Sequence, residues 1–144
     1  MTAKSSIWSR NGVRIPLLIV DSFVAVTAAG GGVALAAGLE DFPLDWLSGT
    51  PFNDYFIPGL LLTILVGGSA TVSTIILLRI PEIGIRASML AGLIMMEWIV
   101  VEVTILNQPS PNLIEVFYFA LGLIMAVLAL ILLIQNRTKK ATSN

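Results

Sequence analysis

Three carboxylic acids lie inside long apolar runs of this chain: Asp21, Glu97 and Glu102. Placing such a group at the bilayer centre costs about 2.5–3.5 kcal/mol on insertion scales, so each acid is a functional candidate by default. Glu97 lies roughly 16 Å of helix rise beyond Arg86, and Glu102 about 8 Å further on. No Lys or Arg occurs between Arg14 and Arg79, or between Arg86 and Arg137. Glu97 therefore has no cation of its own chain at its depth. It must carry a proton, hold a cation, or find neutral hydrogen-bonding partners. Thr27, Ser69 and Thr71 are the polar residues at matching depth, and Gly67 and Gly68 leave room there for a water or an ion. The chemistry these residues suggest is proton or cation binding inside a membrane.

Five residues at about 100° each set Glu97 and Glu102 roughly 140° apart around a helix, so they cannot share one groove. Glu102 falls on a stripe with Ser88, Ala91, Met95 and Trp98 that suits packing within a bundle. Its carboxylate is the expected acceptor for the Trp98 indole N–H, which needs one when buried. Glu97 falls among Leu90, Leu93, Ile94, Val101 and Thr104, a stripe otherwise fit for lipid. A charge-capable residue there is expected to sit in an interface with a second subunit or another protein. The alternative rotation turns Glu97 to the core and Glu102 to the outer interface. Asp21 shares a face with Ala25, Ala28 and Gly32, so it points at a packed neighbour. Arg79 and Arg86 end nearby helices on the same side, and a structural ion pair with Asp21 is expected.

Four elements must position these groups. Apolar spans are expected at about residues 15–39, 56–78, 83–106 and 113–134. Each has the roughly 20 residues needed to cross a hydrocarbon core about 30 Å thick. None alternates as a barrel strand would. The expected fold is all-α: a single polytopic four-helix transmembrane bundle spanning residues 1–144. All eight basic residues fall before the first span, between the second and third or in the first turn of the third (Arg86), or after the fourth. The other two connections, together with the first turn of the fourth span, carry Glu40, Asp41, Asp45, Asp54 and Glu115 and no Lys or Arg. That alternation is the positive-inside pattern, with N and C termini cytoplasmic. The first span has the basic start of a signal peptide and an Ala34-Leu35-Ala36 run. Its length and Asp21 favour a retained helix.

Pro16 suits a first helical turn. Small residues recur at four-residue spacing in every span: Gly30-Ala34-Gly38 and Ala28-Gly32-Ala36, then Gly67-Thr71 and Ser69-Ser73, then Ser88-Gly92 and Gly122-Ala126. In lipid such spacings let backbones approach closely. Asn112 and Glu115 have the spacing of a helix capping box. The segment 40–55 mixes acids with Phe42, Trp46, Phe52 and Tyr55, and is expected to lie at the outer interface as an aromatic belt rather than as a ligand lid. The tail after Gln135 is expected to fray.

The chain is 56% apolar and 12% charged, with mean hydropathy +0.92. A soluble fold of 144 residues could not hide that surface, so lipid is the principal partner. Nucleic acid is not expected, for there is no basic stripe with interleaved aromatics. Cys and His are both absent. Disulfides, thiolate or imidazole metal sites, His-ligated haem and Ser–His catalysis are thereby excluded. No cofactor, metal site or catalytic residue is expected, and a lipid-modifying enzyme is the least favoured class. Two functions fit: a small homo-oligomeric proton- or cation-coupled transporter or channel using an intramembrane glutamate, or a non-catalytic structural or assembly subunit of a larger membrane complex. A bacterial inner (plasma) membrane is the expected location.

Overall fold

The computed structural model describes residues 2–108 and 112–142, and every regular element among them is helical. Residues 109–111 of the connection between the third and fourth spans lie outside the described residues. Helix α1 (Thr2–Ala36) carries Pro16 in its interior. The ring removes one intrahelical bond, to the carbonyl of residue 12, without ending the helix. Helix α2 (Phe56–Leu61), a π-helical turn (Leu62–Gly67) and α3 (Gly68–Arg79) form one continuous rod. Helices α4 (Pro81–Ile105) and α5 (Leu113–Thr142) complete the set. Four stretches are long and apolar enough to cross a membrane: Gly12–Ala36, Phe56–Arg79, Pro81–Ile105 and Leu113–Lys139.

The ends of these helices have local causes. Gly38 adopts φ +67°, the Leu39 N–H reaches back to the Ala34 carbonyl at 2.9 Å, and that of Gly38 to Leu35 at 3.2 Å. This is a Schellman stop, which needs a residue free to enter the left-handed region. Helix α1 therefore ends at Ala36, earlier than the expected limit of 39, and Gly38 is a terminator rather than a packing residue. Between α3 and α4 the break is one residue long. Ile80 leaves the helical region at φ −133° and Pro81 opens α4. Glycine at 84 lets that corner close, because a Cβ there would collide with the backbone of Ile76 and Leu77. At the start of α5 the Asn112 carboxamide accepts from Ile114 and Glu115 N–H, both at 3.0 Å, while Glu115 accepts from Asn112 N–H at 2.8 Å. The capping box thus forms reciprocally. Helix α5 continues to Thr142 instead of fraying after Gln135. Its last turns hold Arg137 and Lys139, good helix formers that also suit the negative end of the helix dipole.

Close backbone contacts join the helices in pairs. The Ala28-Gly32-Ala36 stripe of α1 faces the second rod. A Cβ on Gly32 would lie 2.6 Å from the Gly59 carbonyl, and one on Gly59 would lie 2.5 Å from Ala36 N. Two helical turns along the rod, Gly67 sits against Ala29, where a Cβ would meet Ala29 N at 2.8 Å. The π turn between Gly59 and Gly67 explains how both reach α1. Two α turns span roughly 7.2 residues, and the wider turn adds about one more, which brings positions eight apart onto one face. In the same way Gly92 and Gly122 press α4 onto α5, each missing the other's carbonyl by under 3 Å for a hypothetical Cβ. Between these seams lies a core of Leu17, Val24, Leu77, Met95, Met125 and Leu132, all buried. Outward positions are apolar too: Ile19, Val26, Ile64 and Ile134 are each more than half exposed. That inversion of the usual soluble pattern fits lipid as the outer solvent.

Candidate functional site: an aromatic cavity around Glu102

At the end of the bundle opposite the α3–α4 corner, a cavity of about 200 Å³ opens beside Glu102. One wall is the last part of α4, with Trp98 and Glu102. A second is the start of the second rod, with Pro58 and Leu61. The third is the segment 37–55, which contributes Phe42, Trp46, Phe52 and Tyr55. That segment is built rather than trailing. Leu47 is buried beneath it, in a 3₁₀ turn over Leu44–Leu47. Phe42 packs against Trp46 at 5.7 Å and Tyr55 at 5.9 Å between ring centroids. The Tyr55 hydroxyl donates to the Pro43 carbonyl at 2.8 Å. Asn107 then fastens the segment to the far end of α4: its N–H donates to Trp46 O at 2.9 Å and its carboxamide to Ser48 O at 2.9 Å. The acidic, aromatic segment expected as a belt is thus the wall of a cavity, nearer the lid reading than the belt.

The polar groups at this site are few and of one sign. Trp98 hydrogen-bonds the Glu102 side chain, and the Glu115 carboxylate acts on Glu102 electrostatically. Gln108 donates to Glu115, which also serves its own helix cap. Burial, with a smaller contribution from the Glu102 carboxylate, pushes the Tyr55 phenol above its ordinary range. No Lys or Arg belongs to either connection at this end of the chain. Glu102 is half-buried, and the pairing of Trp98 with it is present as the sequence suggested.

Asp21 occupies a different place. It is fully buried where α1, α3 and α4 meet, as are Ser73 and Ser88. The Ser73 hydroxyl lies 3.1 Å from Asp21 Oδ2, and the Ser88 hydroxyl donates to the same oxygen. Among the described residues Oδ1 has no hydrogen-bond partner. The expected ion pair is not what the geometry shows. Among the described residues no salt bridge reaches Asp21, and Arg79 and Arg86 are both exposed. The reason is rotational: Ser73 and Ser88 occupy the inward faces of their helices, and the arginines, near the helix ends, turn outward. Arg14 is the basic side chain that reaches inward, donating to the Leu77 carbonyl at 2.8 Å.

Glu97 is exposed on the outer face of α4, beside exposed Leu93 and Val101. The three hydroxyls expected near it bond their own helices instead. Thr27 donates to Phe23 O at 2.8 Å, Ser69 to Val66 O at 3.1 Å and Thr71 to Gly67 O at 2.7 Å. The candidate residues therefore fall into separate places: Glu102 with Trp98 at the cavity, Glu97 on the outer surface, and Thr27 along α1 with Ser69 and Thr71 along α3. Sequence reading passed over Phe42, Trp46, Phe52 and Tyr55 as site residues. The signal was their density in one short acidic segment. Among the described residues no group of three or more carboxylates could hold a metal ion. Comparison with known protein families, with curated proteins and with solved structures gives no match.

Proposed function

We propose that this chain is a subunit of a small homo-oligomeric membrane carrier or channel for protons or cations, with Glu102 as the group that meets the cation. One observation carries the reading: a carboxylate opens onto a cavity at an end of the bundle whose connections hold acids and no bases. Such a field concentrates cations at the mouth, and salt weakens it. The positive-inside rule sets the basic end in the cytoplasm and the cavity on the outer side of a bacterial plasma membrane. Glu97, exposed among apolar neighbours, is the natural contact to a second copy, since lipid is a poor neighbour for it.

The same exposure of Glu97 favours a second reading, a structural or assembly subunit whose glutamate meets a Lys or Arg of another membrane protein. Reconstitution separates the two. In vesicles, cation or proton flux should exceed the protein-free background and fall by about tenfold or more in Glu102→Gln, the loss of one charge-assisted contact of about 1.5–3 kcal/mol. In detergent, the purified chain should have the mass of an oligomer, and Glu97→Gln should shift it toward monomer. Equal background flux in wild type and Glu102→Gln ends the carrier reading. A wild-type monomer that aggregates favours the assembly subunit.

A further inference from the structure

We propose that the cavity beside Glu102 takes an organic cation with an alkylated ammonium head. The inference rests on the reading of Glu102 as a cation site and names the class of cation.

The lining decides the class. A hard metal ion needs about six or more oxygen ligands. The cavity offers the Glu102 carboxylate, the Gln108 amide, whose N–H₂ already serves Glu115, and the Tyr55 phenol, whose hydrogen is directed to Pro43 O. Those groups are too few to replace a hydration shell. What the cavity does offer in quantity is aromatic surface. Phe42, Trp46 and Tyr55 form one connected cluster, and Phe52 and Trp98 line the same space. Ring faces attract a weakly hydrated cation placed within about 6 Å of the centroid, and cages of this kind recognise quaternary ammonium groups. A fully alkylated, quaternary ammonium has no N–H to satisfy and little hydration to lose, so an apolar cage with a single counter-charge complements it. Anions are disfavoured by Glu102 and Glu115, and a neutral apolar guest would leave the Glu102 carboxylate without a counter-ion.

Size narrows the choice further. The cavity, at about 200 Å³, is smaller than the roughly 300–1,000 Å³ typical of drug-sized sites. It suits a compact head rather than a polycyclic body. Such a head can belong to a free solute or to a lipid, because the cavity lies at the end of the apolar spans.

Binding can be read without transport. Trp46 and Trp98 both line the cavity, so intrinsic fluorescence of the full-length protein in a choline-free maltoside detergent reports occupancy. Tetramethylammonium should quench or shift that emission saturably, and sodium at equal ionic strength should not displace it. Glu102→Gln should weaken binding at least about tenfold. Phe42→Leu, which keeps an apolar side chain and removes a ring face, should weaken it about threefold to tenfold, with helicity by circular dichroism unchanged. Displacement by sodium as effective as by tetramethylammonium would overturn the ligand class while leaving the carrier reading intact. Unaltered affinity in both variants would overturn the site. Saturable binding in protein that carries no flux would sustain the ligand class and remove the carrier. Vesicles identify the source. Tetramethylammonium affinity lower in phosphatidylcholine than in phosphatidylethanolamine vesicles, both zwitterionic, assigns the site to a lipid headgroup, and equal affinity assigns it to a free ammonium ion.

Discussion

A buried carboxylate need not find an opposite charge if it finds hydroxyls. Asp21 accepts from Ser88 and lies within reach of Ser73, and these two residues come from helices 52 and 67 positions away in the chain. The face of Asp21 was legible from its spacing to Ala25, Ala28 and Gly32. Its partners were not, because two serines among many become partners only through helix rotation, which no local pattern fixes. The triad makes a stability prediction. The Ser73 hydroxyl has a second acceptor, the Ala70 carbonyl at 2.9 Å. Asp21 is the acceptor found for Ser88. Asp21→Ala should therefore orphan Ser88 and destabilise the fold by about 1–3 kcal/mol. Asp21→Asn, which keeps an acceptor, should cost less. The double variant Asp21→Ala with Ser88→Ala should cost less than the sum of the two single changes. Thermal unfolding in one detergent measures all four. Full additivity would show that the Ser88 contact contributes nothing.

At the scale of helices, spacing alone could not tell a seam from a surface. Helix α1 offers two small-residue stripes, and only Ala28-Gly32-Ala36 meets another helix. Gly30 has nothing within 4 Å of where a Cβ would stand, and Gly38 ends the helix. Gly32→Ala should push α1 off the second rod, since its Cβ would lie 2.6 Å from the Gly59 carbonyl oxygen. We expect a loss of about 1–3 kcal/mol, the usual range for overpacking. Gly30→Ala should be neutral or stabilise by about 0.5–1 kcal/mol, the helix propensity difference. Opposite signs in thermal unfolding are the expected result; equal effects would show that the seam is not where α1 bears. The π turn lay beyond sequence reasoning for the same reason. It answers the need for Gly59 and Gly67 to reach α1 together, a tertiary demand that leaves no local residue signature. Caps were more readable. The Asn112 and Glu115 pair forms as its spacing indicated, because both partners lie within one turn.

Across the whole molecule, hydropathy was the most legible feature. Apolar run lengths marked four spanning helices, and the structure has four of sufficient length and composition. Orientation follows from the eight basic residues as a prediction with a simple test, since the chain has no cysteine of its own. A single Ser48→Cys should react in intact cells with a membrane-impermeant maleimide, and Thr138→Cys only after permeabilisation. The reverse pattern would invert the topology. The cavity was not legible, because it arises where a loop folds back across two helix ends, and chain separation hides that meeting. One detail of that meeting reaches further. Asn107 ties the aromatic wall to the neighbouring hairpin through bonds to Trp46 and Ser48. Any outward movement of the wall would have to break these bonds, while for the guest proposed above the rings and Glu102 would set how deep the energy well is. For that guest, substitutions at Asn107 would then change the rates of entry and release together, while substitutions of the rings or Glu102 would change affinity, and selection could tune exchange without touching what is recognised.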